Sequence, residues 1–468
     1  MQREKFGSRL GFILISAGCA IGLGNVYRFP IMTGAYGGGF FVLIYIAFLL
    51  LLGLPIMTAE LTVGRASQRS IASSFDVLEK PGQKWHFMKY AGIAGNYLLM
   101  MFYTTISSWM FIYFGKYVKG DIIDVKGAEA LKGVFGETVS NTPLIIAVTF
   151  FVIILCFAIC SLGLQKGVER ITKVMMILLF ALMIGLAIYS CTLSGSANGL
   201  KFYFIPSLEN LQKAGVWTVI SGAMGQAFFS LSIGIGSIAI FGSYISKEKR
   251  LMGEAATIIS LDTSVALISG LIVFPAYFTY IGNTAPTMND AGAGFLFITL
   301  SSIFNSMAAP IGQIVGILFF LFMIFAALST VIAVFENIMS FWLELTKFNR
   351  VKAAIINIVL MCILSLPAIL GLNPAIFGGF DWHPDPNITK DIIDLEDFII
   401  SNNLLPLGSL CYVLFCTYNK HGWGWSNFMT EANTGKGLAF PKWMRLYVKY
   451  VLPLIILIVW AQGWITMF

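Results

Sequence analysis

Charge is what this sequence has least of: Asp, Glu, Lys and Arg make up 11% of its 468 residues, against about a quarter in water-soluble domains. A soluble globule is thereby excluded. Histidine is rarer still, with His86, His383 and His421 alone and no paired metal-ligand motif, which speaks against a membrane enzyme. The seven cysteines (Cys19, Cys156, Cys160, Cys191, Cys362, Cys411 and Cys416) all fall within or at the edges of apolar runs, and none lies in a loop. Neither disulfides nor a structural metal are expected. The net charge of +7 is scattered through short loops rather than clustered, so anionic lipid head groups, not nucleic acid, are its expected counter-charge. A cleavable signal layout is also missing: the first apolar run begins near Leu10, contains Arg28 and is followed at once by another.

What the sequence does have is length of apolar run. Hydrophobic residues make up 57% and the mean hydropathy is +0.82, which defines a polytopic membrane protein. Runs of about 20 apolar residues predict eleven spans, at roughly 8 to 34, 38 to 64, 88 to 115, 143 to 161, 168 to 192, 215 to 245, 253 to 282, 308 to 344, 353 to 372, 397 to 418 and 445 to 466. With the amino terminus inside, 21 Lys and Arg fall on inner segments against seven outside, so the positive-inside rule sets the orientation. The carboxyl terminus is then outside.

Two of these spans are interrupted at their middles by nearly the same pattern, Ala20-Ile21-Gly22-Leu23-Gly24-Asn25 and Ser232-Ile233-Gly234-Ile235-Gly236-Ser237. A break at the bilayer centre leaves amides unpaired at several kcal/mol each, so it must line a cavity or grip a ligand. The breaks lie in the first and sixth spans, which predicts a repeated unit of five. Because five is odd, the second copy is inverted, the architecture that supports alternating access. The loop from Gly282 to Ala308 holds no Lys or Arg, and its stretch from Ala293 to Asn305 reads as a short amphipathic helix, either an outer lid or an inert surface segment.

At the first break the half-helix starting near Leu23 presents unpaired amides, the electropositive end of a helix dipole, suited to a substrate carboxylate. The carbonyls of Gly18, Ala20 and Ile21, with the Asn25 amide oxygen, are hard ligands for small cations. Arg28 lies too deep for a loop charge, and its expected partner is Asp397, forming an outer gate. Glu60 reads as a structural acid satisfied by neighbouring amides, Asp262 as a functional one. By themselves, Ser329 and Thr330 read as hydroxyls bonded back along their helix, and Tyr103 as a packing aromatic. A channel is the main rival class, but the two half-sites differ chemically, Asn25 against Ser237.

Longer motifs sharpen this. Arg9-Leu10-Gly11, Gly22 to Pro30, Gly37-Gly38-Gly39, Gly53-Leu54-Pro55 with Glu60 and Gly64-Arg65, then Gly225 to Ser232 and Ala326 to Thr330, resemble the neurotransmitter:sodium symporter family, in particular its bacterial LeuT-like amino acid transporters. The resemblance runs from residue 3 to about 420. It implies an all-α polytopic membrane protein with a LeuT-type 5+5 inverted repeat, broken helices 1 and 6 and about 11 transmembrane helices. Residues 1–192 would form the first repeat (spans 1–5), 193–420 the second (spans 6–10), and 421–468 an inner loop with span 11. The location implied is the plasma membrane, as in the bacterial inner membrane, and a homodimer is left open.

The same resemblance implies two Na+ ions. The first would be held by Ala20, Asn25, Ser230 and Asp262 with the substrate carboxylate, the second by Gly18, Ile21, Ala326, Ser329 and Thr330. Tyr103 would bond the carboxylate, beside Ala20, Leu23 and Gly24, while Leu99, Phe229, Ser230, Ser232, Ile235, Thr330 and Val334 surround a neutral hydrophobic or aromatic side chain. Ile235 stands where some relatives carry phenylalanine. Gly22 stands where monoamine transporters place an aspartate, so the substrate must bring its own carboxylate. Asp262, near Tyr45 and Gln226, would replace the chloride of chloride-dependent relatives. Arg3 with Glu344, helped by Ser243, Tyr244 and Glu336, resembles the inner gate, although Phe6 replaces the usual tryptophan and Ile177 a fifth-span proline. The expected function is Na+-coupled import of neutral L-amino acids, the alternative being another small carboxylated substrate.

Overall fold

The computed structural model describes residues 8–281, 295–377 and 390–465. Among these, nine helices are long and apolar enough to cross a bilayer: Gly39–Ser67, Trp85–Lys119, Thr142–Ser161, Leu164–Cys191, Leu251–Tyr280, Ile311–Leu345, Arg350–Gly371, Ile392–Thr417 and Met444–Ile465. Two further segments are interrupted, Arg9–Ala20 with Gly24–Ala35, bent by 54°, and Val216–Leu231 with Ser237–Tyr244. Taken in order these are eleven spans, and the interrupted ones are the first and the sixth.

Their packing has a simple rule. Span three lies along span eight and span four along span nine; span two clasps the second half of span six, as span seven clasps the second half of span one; span five meets seven, as ten meets two. Exchanging every span with the one five places further on leaves this pattern unchanged. A five-span unit is therefore repeated in the packing as well as in the glycine pattern.

Five spans contain a widened, π-helical turn; that of span five, Leu164–Glu169, stands apart, and the other four form a group, Gly24–Arg28, Leu49–Gly53, Phe398–Leu404 and Tyr447–Val451. Each ends two residues before a proline: Pro30, Pro55, Pro406 and Pro453. Proline donates no hydrogen bond and its ring crowds the carbonyl four residues back. Widening the preceding turn moves that carbonyl aside. For Pro55 the displaced group is the Leu51 carbonyl, which accepts from the Tyr447 hydroxyl at 2.8 Å.

Outside the spans, the helix expected over 293–305 is described from Phe295 to Ser306. Asn305 fixes it over the end of span three, donating to the carbonyls of Ile122 (2.7 Å) and Val125 (2.8 Å). At the other face Arg65, fully buried, donates to Glu431 at 2.7 Å and ties span two to the short helix Trp425–Ala432.

The second half of span six is only eight residues long and buried throughout, so its first amides need partners inside the protein. Glu60 supplies them. Its carboxylate accepts from the amides of Gly234 (2.8 Å), Ile238 (3.0 Å) and Ala239 (3.3 Å), the structural role that its position suggested. Each buried amide left unpaired costs about 1–3 kcal/mol. Glu60→Ala should therefore lower the unfolding midpoint in detergent well below that of Glu60→Gln, which keeps one acceptor oxygen; a wild-type midpoint for Glu60→Ala would refute the capping role.

Candidate functional site

The two breaks face each other across a small cavity lined by Ala20, Gly22, Gly24, Leu99, Tyr103, Phe229, Ser232, Thr330, Ile400 and Leu405. Its free volume is about 20 Å³, room for about one water. Of the residues expected around a substrate, Ala20, Gly24, Leu99, Tyr103, Phe229, Ser232 and Thr330 are in this wall. Leu23 presents its amide, which donates to the Tyr103 hydroxyl at 2.9 Å. Ser230 points away to Tyr45, oxygen to oxygen 3.0 Å. Ile235 and Val334 are buried but do not reach the cavity: Ile235 follows Gly234, whose φ is +103°, and packs against Gly95 of span three, while Val334 sits one turn beyond Thr330.

Next to the cavity, carbonyl and hydroxyl oxygens converge. Ser329 donates to the carbonyls of Ile21 (3.2 Å) and Ala326 (2.9 Å), and Thr330 lies 3.2 Å from the carbonyls of both Gly18 and Ile21. Gly18, Ile21, Ala326, Ser329 and Thr330 thus meet at one point. Ser329 does bond back along its own helix, to Ala326, but both hydroxyls also reach across to span one. Such a shell of neutral oxygens suits a hard monovalent cation.

On the other side of the break, Asn25 donates to the carbonyl (3.0 Å) and carboxylate (2.8 Å) of Asp262 and accepts from the Gly22 amide at 3.4 Å. Gln226 donates to the Gly24 carbonyl at 2.7 Å. Asp262 is fully buried. Among the described residues, its Oδ2 and the Gln226 Oε1 have no hydrogen-bond donor. Buried acceptors rarely stay unpaired, and a carboxylate oxygen in this position is a place for a cation or a proton. Ser269, which the motifs did not single out, donates to the Asn25 carbonyl at 2.8 Å and holds the strand of the break in place.

Arg28 and Asp397 come together, 3.7 Å apart. Ser401 stands between them, donating to Asp397 at 2.7 Å and accepting from Arg28 at 3.4 Å, and the guanidinium carbon lies 4.4 Å from the centre of the Phe229 ring. Of the opposite gate, Arg3 lies outside the described residues. Glu344 accepts from the Ser70 amide (2.8 Å) and from the hydroxyls of Ser70 (2.9 Å) and Ser73 (2.5 Å). Glu336 accepts from Tyr244 at 3.1 Å and forms a two-pronged pair with Arg350 at 2.8 and 2.9 Å. Ser243 donates to the Ile240 carbonyl at 2.6 Å.

Sequence reasoning missed Ile400, Leu405, Ser401 and Arg350. Ser401 was open to discovery, because it follows Asp397 by one helical turn. Arg350 was visible only as an inner loop charge, and the two apolar residues of span ten carried no signal at all.

A model of the sodium:neurotransmitter symporter family matches residues 3–122 and 135–467. The uncharacterized sodium-dependent transporter YhdH of Bacillus subtilis is 30% identical, over 98% of this chain and 97% of that protein. An uncharacterized sodium-dependent transporter of Haemophilus influenzae is likewise 30% identical, over 99% and 98%. The sodium- and chloride-dependent taurine transporter of Rattus norvegicus is 24% identical, over 81% of this chain and 66% of its own length. The crystal structure of MhsT in complex with L-phenylalanine superposes with a TM-score of 0.85 at 36% identity, covering 98% of this chain and all of that one. With its two broken spans and five-span repeat, this is the LeuT fold of a multi-pass transporter, and the chain belongs to the sodium:neurotransmitter symporter family.

Proposed function

We propose that this sodium-dependent transporter imports neutral hydrophobic or aromatic L-amino acids with two Na+ ions, independently of chloride. The observation that carries the reading is the Leu23 amide meeting the Tyr103 hydroxyl at the edge of a cavity whose wall is otherwise apolar apart from Ser232 and Thr330. A substrate carboxylate fits that corner, held by the amides of Leu23 and Gly24 and by Tyr103. Gly22 adds to the argument: a side chain there would collide with the hydroxyls of Tyr103 and Thr330, so no acid is available for an amine lacking its own carboxylate. The apolar wall of Leu99, Phe229, Ile400 and Leu405 rejects a charged side chain through uncompensated desolvation. Phenylalanine bound to MhsT is a ligand of this kind.

One Na+ would take the oxygens of Gly18, Ile21, Ala326, Ser329 and Thr330; the other would take Ala20, Asn25, Ser230 and Asp262 with the substrate carboxylate. Ser230, whose hydroxyl also meets Tyr45, would contribute that oxygen to the ion beside Asp262. Asp262 would supply the negative charge that chloride-dependent relatives take from solution, and would repel chloride at close range. Down about 100 mV and a roughly tenfold gradient, two ions release about 7 kcal/mol, enough to hold roughly a 10⁵-fold substrate gradient. Access would alternate as Arg28, Ser401 and Asp397 close one side and the cluster around Glu344 and Glu336 closes the other, with residues 1–192 and 193–420 as the two inverted repeats whose symmetry supports that alternation.

Uptake of radiolabelled neutral amino acids into proteoliposomes tests this directly. Uptake should require an inward Na+ gradient and be unaffected by replacing chloride with gluconate; sodium-independent uptake, or none for any neutral amino acid, sinks the reading. Tyr103→Phe should raise KM about tenfold or more through one lost charge-assisted hydrogen bond, with Na+ dependence retained. Asp262→Ser should make uptake chloride-dependent, and an active variant still indifferent to chloride refutes the role given to Asp262.

A further inference from the structure

The substrate cavity is closed at one end by span ten, whose Ile400 and Leu405 are both buried in its wall. Between and around them runs the widened turn Phe398–Leu404. The same stretch carries the gate: Asp397 starts it, and Ser401, adjacent to Ile400, bridges Asp397 to Arg28. On the opposite wall Phe229 is in the same position, with its ring lining the cavity and the Arg28 guanidinium resting on it at 4.4 Å. Both halves of the gate thus stand directly behind side chains that a substrate would touch.

The two wall residues of span ten are not equally free to yield. At Leu405 the backbone is locked into the break of span six: a Cβ on Gly234 would collide with the Leu405 carbonyl, and one on Gly408 with the Gly234 carbonyl. The turn is also held from its far side, where Asn403 accepts from the indoles of Trp460 (3.1 Å) and Trp464 (2.9 Å). Ile400 precedes both anchors, on the gate's side of the turn, and what presses on it presses on Ser401. We propose that Ile400 is a specificity-determining residue, which limits the size of side chain this transporter accepts by deciding whether the gate of Arg28, Ser401 and Asp397 can close. The proposal rests on the amino acid reading given above.

Ile400→Ala and Ile400→Phe, reconstituted beside the wild type, test it through competition by leucine, phenylalanine and tryptophan for uptake of a labelled neutral amino acid. A change of pocket volume on this scale is worth about tenfold between substrates of different size. The tryptophan-to-leucine affinity ratio should rise about tenfold in Ile400→Ala and fall in Ile400→Phe, whereas a general loss of stability lowers uptake of all three alike and leaves the ratio in place. Turnover separates wall from gate: in Ile400→Ala the transport rate of the bulky substrate relative to leucine should rise along with its affinity, and a gain in affinity alone overturns the link to the gate. Should Ile400→Ala fail to assemble, Ile400→Val removes one methylene and moves the ratio the same way, by about fourfold. Ratios unmoved in variants that still transport overturn the proposal and leave the functional reading standing; a wild type that takes up no neutral amino acid overturns the functional reading itself.

Discussion

The structure depends on one constraint, that no backbone amide or carbonyl in the membrane interior goes without a partner. Most of the spans meet it largely along their own length, with local exceptions such as the Leu51 carbonyl, which Tyr447 satisfies. Spans one and six do not, and their surroundings are arranged to make good what the breaks leave open. Glu60 takes the amides of span six, Ser329 and Thr330 take carbonyls of span one, Gln226 and Ser269 take two more, and Tyr103 takes an amide. Two of the residues that complete the fold, Tyr103 and Thr330, are also in the wall of the cavity. Structural need and ligand chemistry draw on the same short list of polar groups.

This explains why stability and transport are joined in such a site. The hydroxyls of Ser329 and Thr330 satisfy carbonyls by themselves, and a cation bound there as proposed would replace those hydrogen bonds rather than add to them. Its net gain would be a difference between two satisfied arrangements, which would keep binding reversible. The Asp262 carboxylate is different in kind. With one oxygen held by Asn25 and the other without a donor among the described residues, it is a group that would gain outright from a positive charge in the ion site proposed for it.

Much of this was legible in the sequence, for reasons that differ from part to part. The spans were visible because apolar runs of membrane length have no other use, and the breaks because paired glycine patterns are rare inside them. The residues proposed for the ions and the outer gate were visible because polar groups are conspicuous in an apolar background, and Asn25 meets Asp262, Ser329 and Thr330 meet span one, and Arg28 meets Asp397. Ile400 and Leu405 were not, since an apolar residue in an apolar helix looks the same whether it faces lipid, a neighbouring span or a cavity. The displacement of Ile235 from the wall was equally hidden, because it follows from the positive φ of Gly234, which a glycine permits but does not announce. The pairing of Glu336 with Arg350 joins span eight to the start of span nine, and only the packing reveals it.

The widened turns before Pro30, Pro55, Pro406 and Pro453 have an effect on register. Each holds one residue more than an α-helical turn, which rotates everything beyond it by about 100° relative to everything before it. In span ten that rotation lets the stretch starting at Asp397 face Arg28 while the stretch starting at Leu405 faces the break of span six. A single-residue deletion inside such a turn would undo the rotation and send one of the two faces toward lipid. The length of the chain between Asp397 and Leu405 is thus as much a part of the site as the side chains themselves.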